Sequence, residues 1–239
     1  MRGLPQFWNS GAAQALFWSL ATVASYLLAC RIQRRFPQWW LSPLAVAPGL
    51  LILAALSLRT SYAQYLHGAG WLITLLGPAT VAFAVPIYER RALIRQYWSV
   101  LGMGVLVGSS VAMLSSWLLA GLLHLDGEVR LSLLPRSMST PFAMTVARDL
   151  GGSPEMTAVF VVVTGVLGAA LGEALLARLS LRSALARGAL LGMGAHGVGT
   201  ARAHQIGQEE GAVAGLVMIF TGVLNVLAAP LVARLLHQL

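Results

Sequence analysis

The chain has 239 residues, 57% of them hydrophobic and only 10% charged, with a mean hydropathy of +0.75. A soluble domain carries about 25% charged residues, and each bilayer crossing needs about 20 mostly apolar ones, so a soluble protein is excluded and an integral membrane protein is expected. The net charge of +8 and pI of about 11.0 come entirely from arginines among the cationic side chains. They sit in short connections, as the positive-inside pattern requires, and no basic face interleaved with aromatics offers a nucleic-acid groove.

Apolar run length predicts eight membrane elements. The first runs from Gly11 to Cys30, and Arg31, Arg34 and Arg35 follow it. That polarity fits a retained anchor and rules against a secretory signal, despite the lipoprotein-like Leu27-Leu28-Ala29-Cys30. The second spans Leu41 to Leu58, and the third, Ala69 to Tyr88, is broken at Gly77-Pro78-Ala79-Thr80 and again at Pro86. The fourth spans Tyr97 to Leu125, with Gly102, Gly104 and Gly108 as close-packing positions and not a nucleotide fingerprint. The fifth runs from Leu131 to Arg148, and the sixth from Thr157 to Arg178, where Glu173 is expected to pair with an arginine such as Arg178. The seventh, Leu185 to Ala203, is broken at Gly194-Ala195-His196-Gly197-Val198-Gly199-Thr200-Ala201-Arg202. In the eighth, Gly211 to Leu236, Asn225 is expected to bond between helices.

Short connections leave no room for a soluble domain, so one membrane domain over residues 1–239 is expected, with approximate halves 1–126 and 127–239. The clusters Arg31/Arg34/Arg35, Arg90/Arg91/Arg95 and Arg178/Arg182/Arg187 should face the cytoplasm, and the connections at Asp126/Glu128, Asp149/Glu155 and Glu209/Glu210 should face out. Satisfying all three clusters makes the fifth element re-entrant from the outer side. Its Pro135, Ser137, Ser139, Thr140 and Pro141 suit a cavity lining better than a lipid-facing helix. Elements two to four then match six to eight in opposite orientation, an inverted repeat whose broken third and seventh members point to a midplane site. The expected fold is an all-α polytopic bundle of the inverted-repeat transporter kind.

Three segments carry candidate chemistry. A half-helix starting near Pro78 would aim amide groups and a positive dipole end at an anion, with the Thr80 hydroxyl assisting; the bland alternative is a kinked span. Arg136 beside Ser137, Ser139 and Thr140, between Pro135 and Pro141, suits a hydroxy- or keto-carboxylate, because guanidinium binds carboxylates in a bidentate fork. Its alternative is an arginine that snorkels to the interface. His196, Gly199, Thr200 and Arg202 lie on a glycine-rich element where an intramembrane ionisable group is a functional candidate. A histidine with an ordinary pKa of about 6.5 could carry a proton. Cys30 is the single cysteine, so neither an internal disulfide nor a thiolate metal cluster is expected. No enzyme constellation, metal site or cofactor site is read from the chain.

At Leu76-Gly-Pro-Ala-Thr80, Pro135 to Met144, Gly151-Gly-Ser-Pro-Glu-Met-Thr-Ala-Val-Phe160 and Ala186-Arg-Gly188 leading to His196-Gly-Val-Gly-Thr-Ala-Arg202, the chain resembles the LrgB/CidB family. These are bacterial relatives of the plastid glycolate/glycerate translocator. The resemblance covers about Leu41 to the end. It implies a multi-pass protein of the bacterial inner membrane, often accompanied by a holin-like LrgA/CidA partner. It also implies transport of two- and three-carbon acids such as pyruvate and glycolate, or control of murein hydrolase activity and lysis. The chain departs from the family pattern at Arg136, where lysine is common, at Ala195, where serine is usual, at Gln205, near a customary glutamate, and at Glu173, near a customary proline.

The reading is therefore a secondary transporter of small organic monocarboxylates. Pro78, Thr80, Arg136, Ser137, Ser139, Thr140, Pro141, His196, Gly199, Thr200 and Arg202 form its substrate site. The partners expected are the organic acid anion, the lipid bilayer, other copies of the chain and a holin-like LrgA/CidA protein. The rival is an antiholin-like lysis regulator with no substrate of its own; a passive pore fits less well, because the polar residues cluster at breaks.

Overall fold

The computed structural model describes residues 11–36, 38, 41–125 and 127–236, and every regular element within them is helical. Asp126 lies outside the described residues. Five stretches are long and apolar enough to cross a membrane: α1 (Gly11–Arg35), Trp71–Glu89, α7 (Arg91–Leu122), α10 (Pro154–Arg178) and α12 (Gln208–Leu236). A sixth exists only as α2 (Pro43–Ser57) and α3 (Tyr62–Ala69) taken together, bent by 119°. The protein is an all-α, multi-pass membrane protein. Its packing divides it into two units, residues 1–79 and 80–239.

In the first unit α1 packs against α2 and α3. Trp18, 1% exposed, lies edge-on to Tyr65 with ring centroids 5.4 Å apart, and Thr22 Oγ1 is 3.2 Å from the Tyr65 hydroxyl. Gly68 makes this possible, since a Cβ there would lie 2.7 Å from the Gln14 carbonyl oxygen. Ser61 and Gln64 close a capping box that starts α3 after the sharp bend. Trp71–Glu89 is built from three short helices, α4 (Trp71–Thr74), α5 (Leu76–Ala82) and α6 (Ala84–Glu89), with breaks at Leu75 and Phe83.

The second unit contains two helical hairpins, each preceded by a spanning helix. After α7 the chain forms α8 (Gly127–Leu133), a 3-10 turn (Leu134–Ser137), two extended residues and α9 (Thr140–Leu150). The ends of this segment meet: Ser132 Oγ accepts from Ser153 N at 2.7 Å, and Thr157 Oγ1 donates to Ser132 O at 2.9 Å. A Cβ on Gly152 would strike the Ser132 backbone at 2.7 Å. The fifth predicted element therefore enters and leaves on one side, as the arginine pattern required. Its returning arm, the 11 residues of α9, spans about 16 Å, or half of a bilayer core of about 30 Å.

The second hairpin lies inside α11 (Ala184–Ile206), where His196 breaks the helix at φ 45°, ψ −119°. Gly172 faces Leu191, Gly168 faces Gly194 and Gly165 faces Val198, which sets α11 antiparallel to α10 near the break. A straight continuation would leave Arg202 about 20 Å from Glu173, yet the two form an ion pair. A Cβ on Gly199 would collide with the Leu191 carbonyl, eight residues earlier, and at the far end Gly188 meets Glu210 while His204 meets Gly211. The arms 184–195 and 197–206 are thus folded back on each other with His196 at the tip.

This corrects the predicted topology. The seventh element does not cross, and the Glu209/Glu210 connection lies on the same face as Arg187, whose guanidinium bonds Glu210 Oε1 at 2.5 Å. The eighth element runs in the opposite sense to the one expected. The charge rule failed there because acidic residues weigh little in it and the hairpin costs no crossing. The inverted relation within this unit links α7 plus the first hairpin to α10 plus the second. Arg130 at the base of the first hairpin reaches the Trp117 carbonyl near the end of α7, and α10 starts beside that same base. The two spans therefore run in opposite directions, and their hairpins enter from opposite faces.

Candidate functional site

The tips of the two hairpins come together within the second unit. α11 packs against the 3-10 turn that carries Arg136. α12 serves as the common wall: Phe142 of the first hairpin presses on Gly222, while Met193 of the second accepts from Thr221 Oγ1 at 3.7 Å. Since the hairpins enter from opposite faces and each covers about half the membrane, their junction lies near the midplane.

Three side chains at the junction have unusual environments. The hydroxyl of Ser139 and Nε2 of His196 are buried and have no hydrogen-bond partner in the protein among the described residues. Such an atom costs about 1–3 kcal/mol when left unmatched. Arg136 is half-buried. Its Nε donates to Ser116 Oγ at 2.8 Å, and the Ser116 hydroxyl in turn donates to the Ala112 carbonyl at 2.8 Å. Ser116 is thereby fixed as an acceptor, and it sets the plane of the guanidinium while no ion pair engages the two terminal nitrogens among the described residues.

His196 also carries backbone strain. Its φ 45°, ψ −119° lies near the first corner of a type II′ turn, a place normally held by glycine. A residue with a Cβ in such a region costs about 1–3 kcal/mol, and strain of this sort clusters at functional sites. His196 is 3% exposed, and it lies beside Gly165 of α10, where a Cβ would crowd Val198 at 3.1 Å.

Of the remaining predicted residues, all but Pro78 and Thr80 lie on the two hairpins. Ser137 and Thr140 flank the tip half-buried, and Pro141 is in the first turn of α9. Gly199 is buried at the arm crossing, and the Thr200 hydroxyl is spent on the His196 carbonyl at 2.8 Å, with Met218 Sδ at 3.9 Å. Arg202 lies towards the base of the second hairpin and bonds Glu173 and Gln205. The expected pairing of Glu173 with an arginine is present, with Arg202 and not Arg178 as partner. Pro78 is an exposed residue of α5 in the first unit. Thr80, half-buried, begins the second unit, three residues before Phe83, whose ring lies 5.7 Å from that of Phe142. Asn225 makes the expected interhelical bond, from Nδ2 to Ser109 Oγ at 3.0 Å. Ser116 was missed, although a hydroxyl pair, Ser115-Ser116, inside an apolar span was its visible signal.

A family model described as "LrgB-like family" matches residues 22–235. The chain belongs to the LrgB-like family. Among its relatives, the uncharacterized protein YwbG of Bacillus subtilis is 39% identical over 87% of this chain and 93% of its own length. The uncharacterized protein YxaC of the same organism is 37% identical over 95% and 98%. A Staphylococcus aureus relative, named holin-like protein CidB, is 32% identical over 94% and 98%. No solved structure matches.

Proposed function

We propose that this LrgB-like protein is a secondary transporter of small organic monocarboxylates in the bacterial inner membrane, with the paired hairpin tips as its substrate site. The observation that carries the reading is the junction itself: among the described residues Ser139 Oγ and His196 Nε2 are buried without hydrogen-bond partners, beside an arginine whose terminal nitrogens make no ion pair. A carboxylate accepts a bidentate pair from Arg136. A second polar group on the same small molecule, a hydroxyl or keto oxygen, reaches Ser139 or His196. Pyruvate, lactate, glycolate and glycerate, which join one carboxylate to such a group, are the class to try. His196 is the group on which a proton would travel with the anion, since imidazole is the side chain suited to that exchange.

Proteoliposomes should take up labelled pyruvate or glycolate. Arg136→Gln should lower uptake at least about tenfold, the effect of removing a charge-assisted hydrogen bond. Arg202→Gln should do less, because Glu173 already neutralises Arg202. Undiminished transport by Arg136→Gln overturns the site.

The second reading is a lysis regulator acting with a holin-like LrgA/CidA partner, and the name of the Staphylococcus aureus relative favours it. On that view exposed glycines such as Gly102 and Gly104 of α7 are assembly surfaces for the partner or for other copies of the chain. A thermal-shift screen of the purified protein against pyruvate, lactate, glycolate, glycerate and acetate separates the two, because a ligand that binds the folded state raises apparent stability and a pure assembly factor responds to none.

A further inference from the structure

We infer that the second hairpin, Ala184–Ile206, is the moving gate of the junction, and that the ion pairs Arg187–Glu210 and Arg202–Glu173 are the latch that holds it closed. The purpose of the gate rests on the transport reading; its motion does not. Among the described residues these are the two salt bridges, and each ties one arm of this hairpin to a neighbouring span. Arg187 holds the outgoing arm to α12, and Arg202 holds the returning arm to α10.

Their exposure decides what they can do. The side chains of Arg187 and Glu210 are 30% and 9% exposed, those of Arg202 and Glu173 37% and 33%. The Arg202–Glu173 pair, about a third exposed on both sides, biases an equilibrium without locking it, whereas Arg187–Glu210, with its buried carboxylate, is the firmer of the two. When the hairpin swings out, all four charges meet water, so opening strands none of them in an apolar setting.

The hairpin meets α12 through backbone at Gly188 and Gly192, and it places Leu191 and Ala203 in one apolar cluster and Leu185, Ala189 and Met193 in another, against α7 and α12. Gly207, extended at φ −175°, is the single residue between α11 and α12, a natural place to absorb a hinge rotation. Among the described residues the first hairpin has no ion pair: buried Ser132 closes its base through uncharged hydrogen bonds, Arg130 ties it to the carbonyl and ring of Trp117 on α7, and its returning arm belongs to an extended apolar cluster.

The test reads access to the tip, not transport. In a Cys30→Ser background, Ala195→Cys places a thiol at a fully buried tip position, and Ser139→Cys offers a near-isosteric second reporter. A membrane-impermeant maleimide is applied to each face of sealed vesicles. Removing both pairs with Glu173→Gln and Arg187→Gln should speed labelling roughly three- to tenfold from the arginine-rich face and leave the opposite face unchanged. Exchanging Glu173→Arg with Arg202→Glu should bring the rate back towards that of the unmodified pair. Equal labelling with and without the pairs, or a gain from the opposite face, overturns the gate. Faster one-sided labelling together with no bound or transported carboxylate keeps the gate and rejects the substrate reading instead.

Discussion

The first hairpin turns at Met138-Ser139 between two prolines and packs its returning arm, through Phe142, Ala143, Val146 and Leu150, against Val161 and Ala229. The second turns at one strained histidine and packs through glycines, with ion pairs at its base. Both bring polar side chains to the junction, but the first is held by interlocked apolar side chains and the second mainly by close backbone approach at glycines, with ion pairs at its base. Apolar packing in a bilayer gains nothing from expelling lipid, so it is shape complementarity that makes the first hairpin rigid. On the proposed reading, the arginine of the first hairpin sets affinity and the second hairpin, as the gate, sets access.

The largest effect should come from breaking the rigid side. Phe142 is 7% exposed, covers Gly222 and packs on Phe83. Phe142→Ala should destabilise the protein by about 3–5 kcal/mol through the cavity it leaves, seen as a large fall in melting temperature in detergent. A truncation of similar size in the second hairpin, Leu191→Ala, should cost visibly less, because fewer large side chains surround that position. Equal losses at the two positions would remove the contrast between a rigid and a loose hairpin.

The tip of the second hairpin separates backbone from imidazole. Glycine occupies positive φ at no steric cost whereas alanine keeps the strain. His196→Gly should therefore be about 1 kcal/mol more stable than His196→Ala, and both should lose substrate-dependent thermal shift. If His196 were only a structural corner, the glycine variant would be the more stable and would bind normally.

How far this was visible in the sequence depends on which physical signal each feature leaves. Spans announce themselves by run length, and the first hairpin by its clustered prolines and hydroxyls, so both could be read directly. Gly194-Ala-His-Gly also marked a break, but a kink and a reversal leave the same residues behind; what decides between them is one pair of dihedral angles at His196 and the contact of Gly199 with Leu191, eight residues apart. The strained position itself is hidden, because such a corner is usually betrayed by glycine and here glycines stand on either side of it. Arg202 reads as a site residue because it lies on a broken, glycine-rich element, whereas its partner, Glu173, is brought to it only by the fold-back. Asn225 and Ser109 illustrate the reverse case, a lone polar residue in a span whose need for an interhelical partner follows from burial alone.

The smallest effect expected concerns how the arginine on the rigid arm is aimed. Arg136 and Arg202 both carry a charge into the second unit, but Arg202 is neutralised by Glu173 while Arg136 is held at Nε by a neutral hydroxyl, so only Arg136 keeps its fork for an anion. Ser116→Ala removes that hold at a cost of about 0.5–1.5 kcal/mol, the net worth of one hydrogen bond, without removing any charge. The apparent KM for the carboxylate should rise roughly three- to tenfold, with the maximal rate changed much less, since the guanidinium must then be ordered by the substrate itself. In an Arg136→Gln background the same serine change should have no further effect on KM, because two residues acting through one contact are not additive. A full additional loss in the double variant would show that Ser116 acts on the substrate or on α7 directly, and that the arginine is aimed by the 3-10 turn alone.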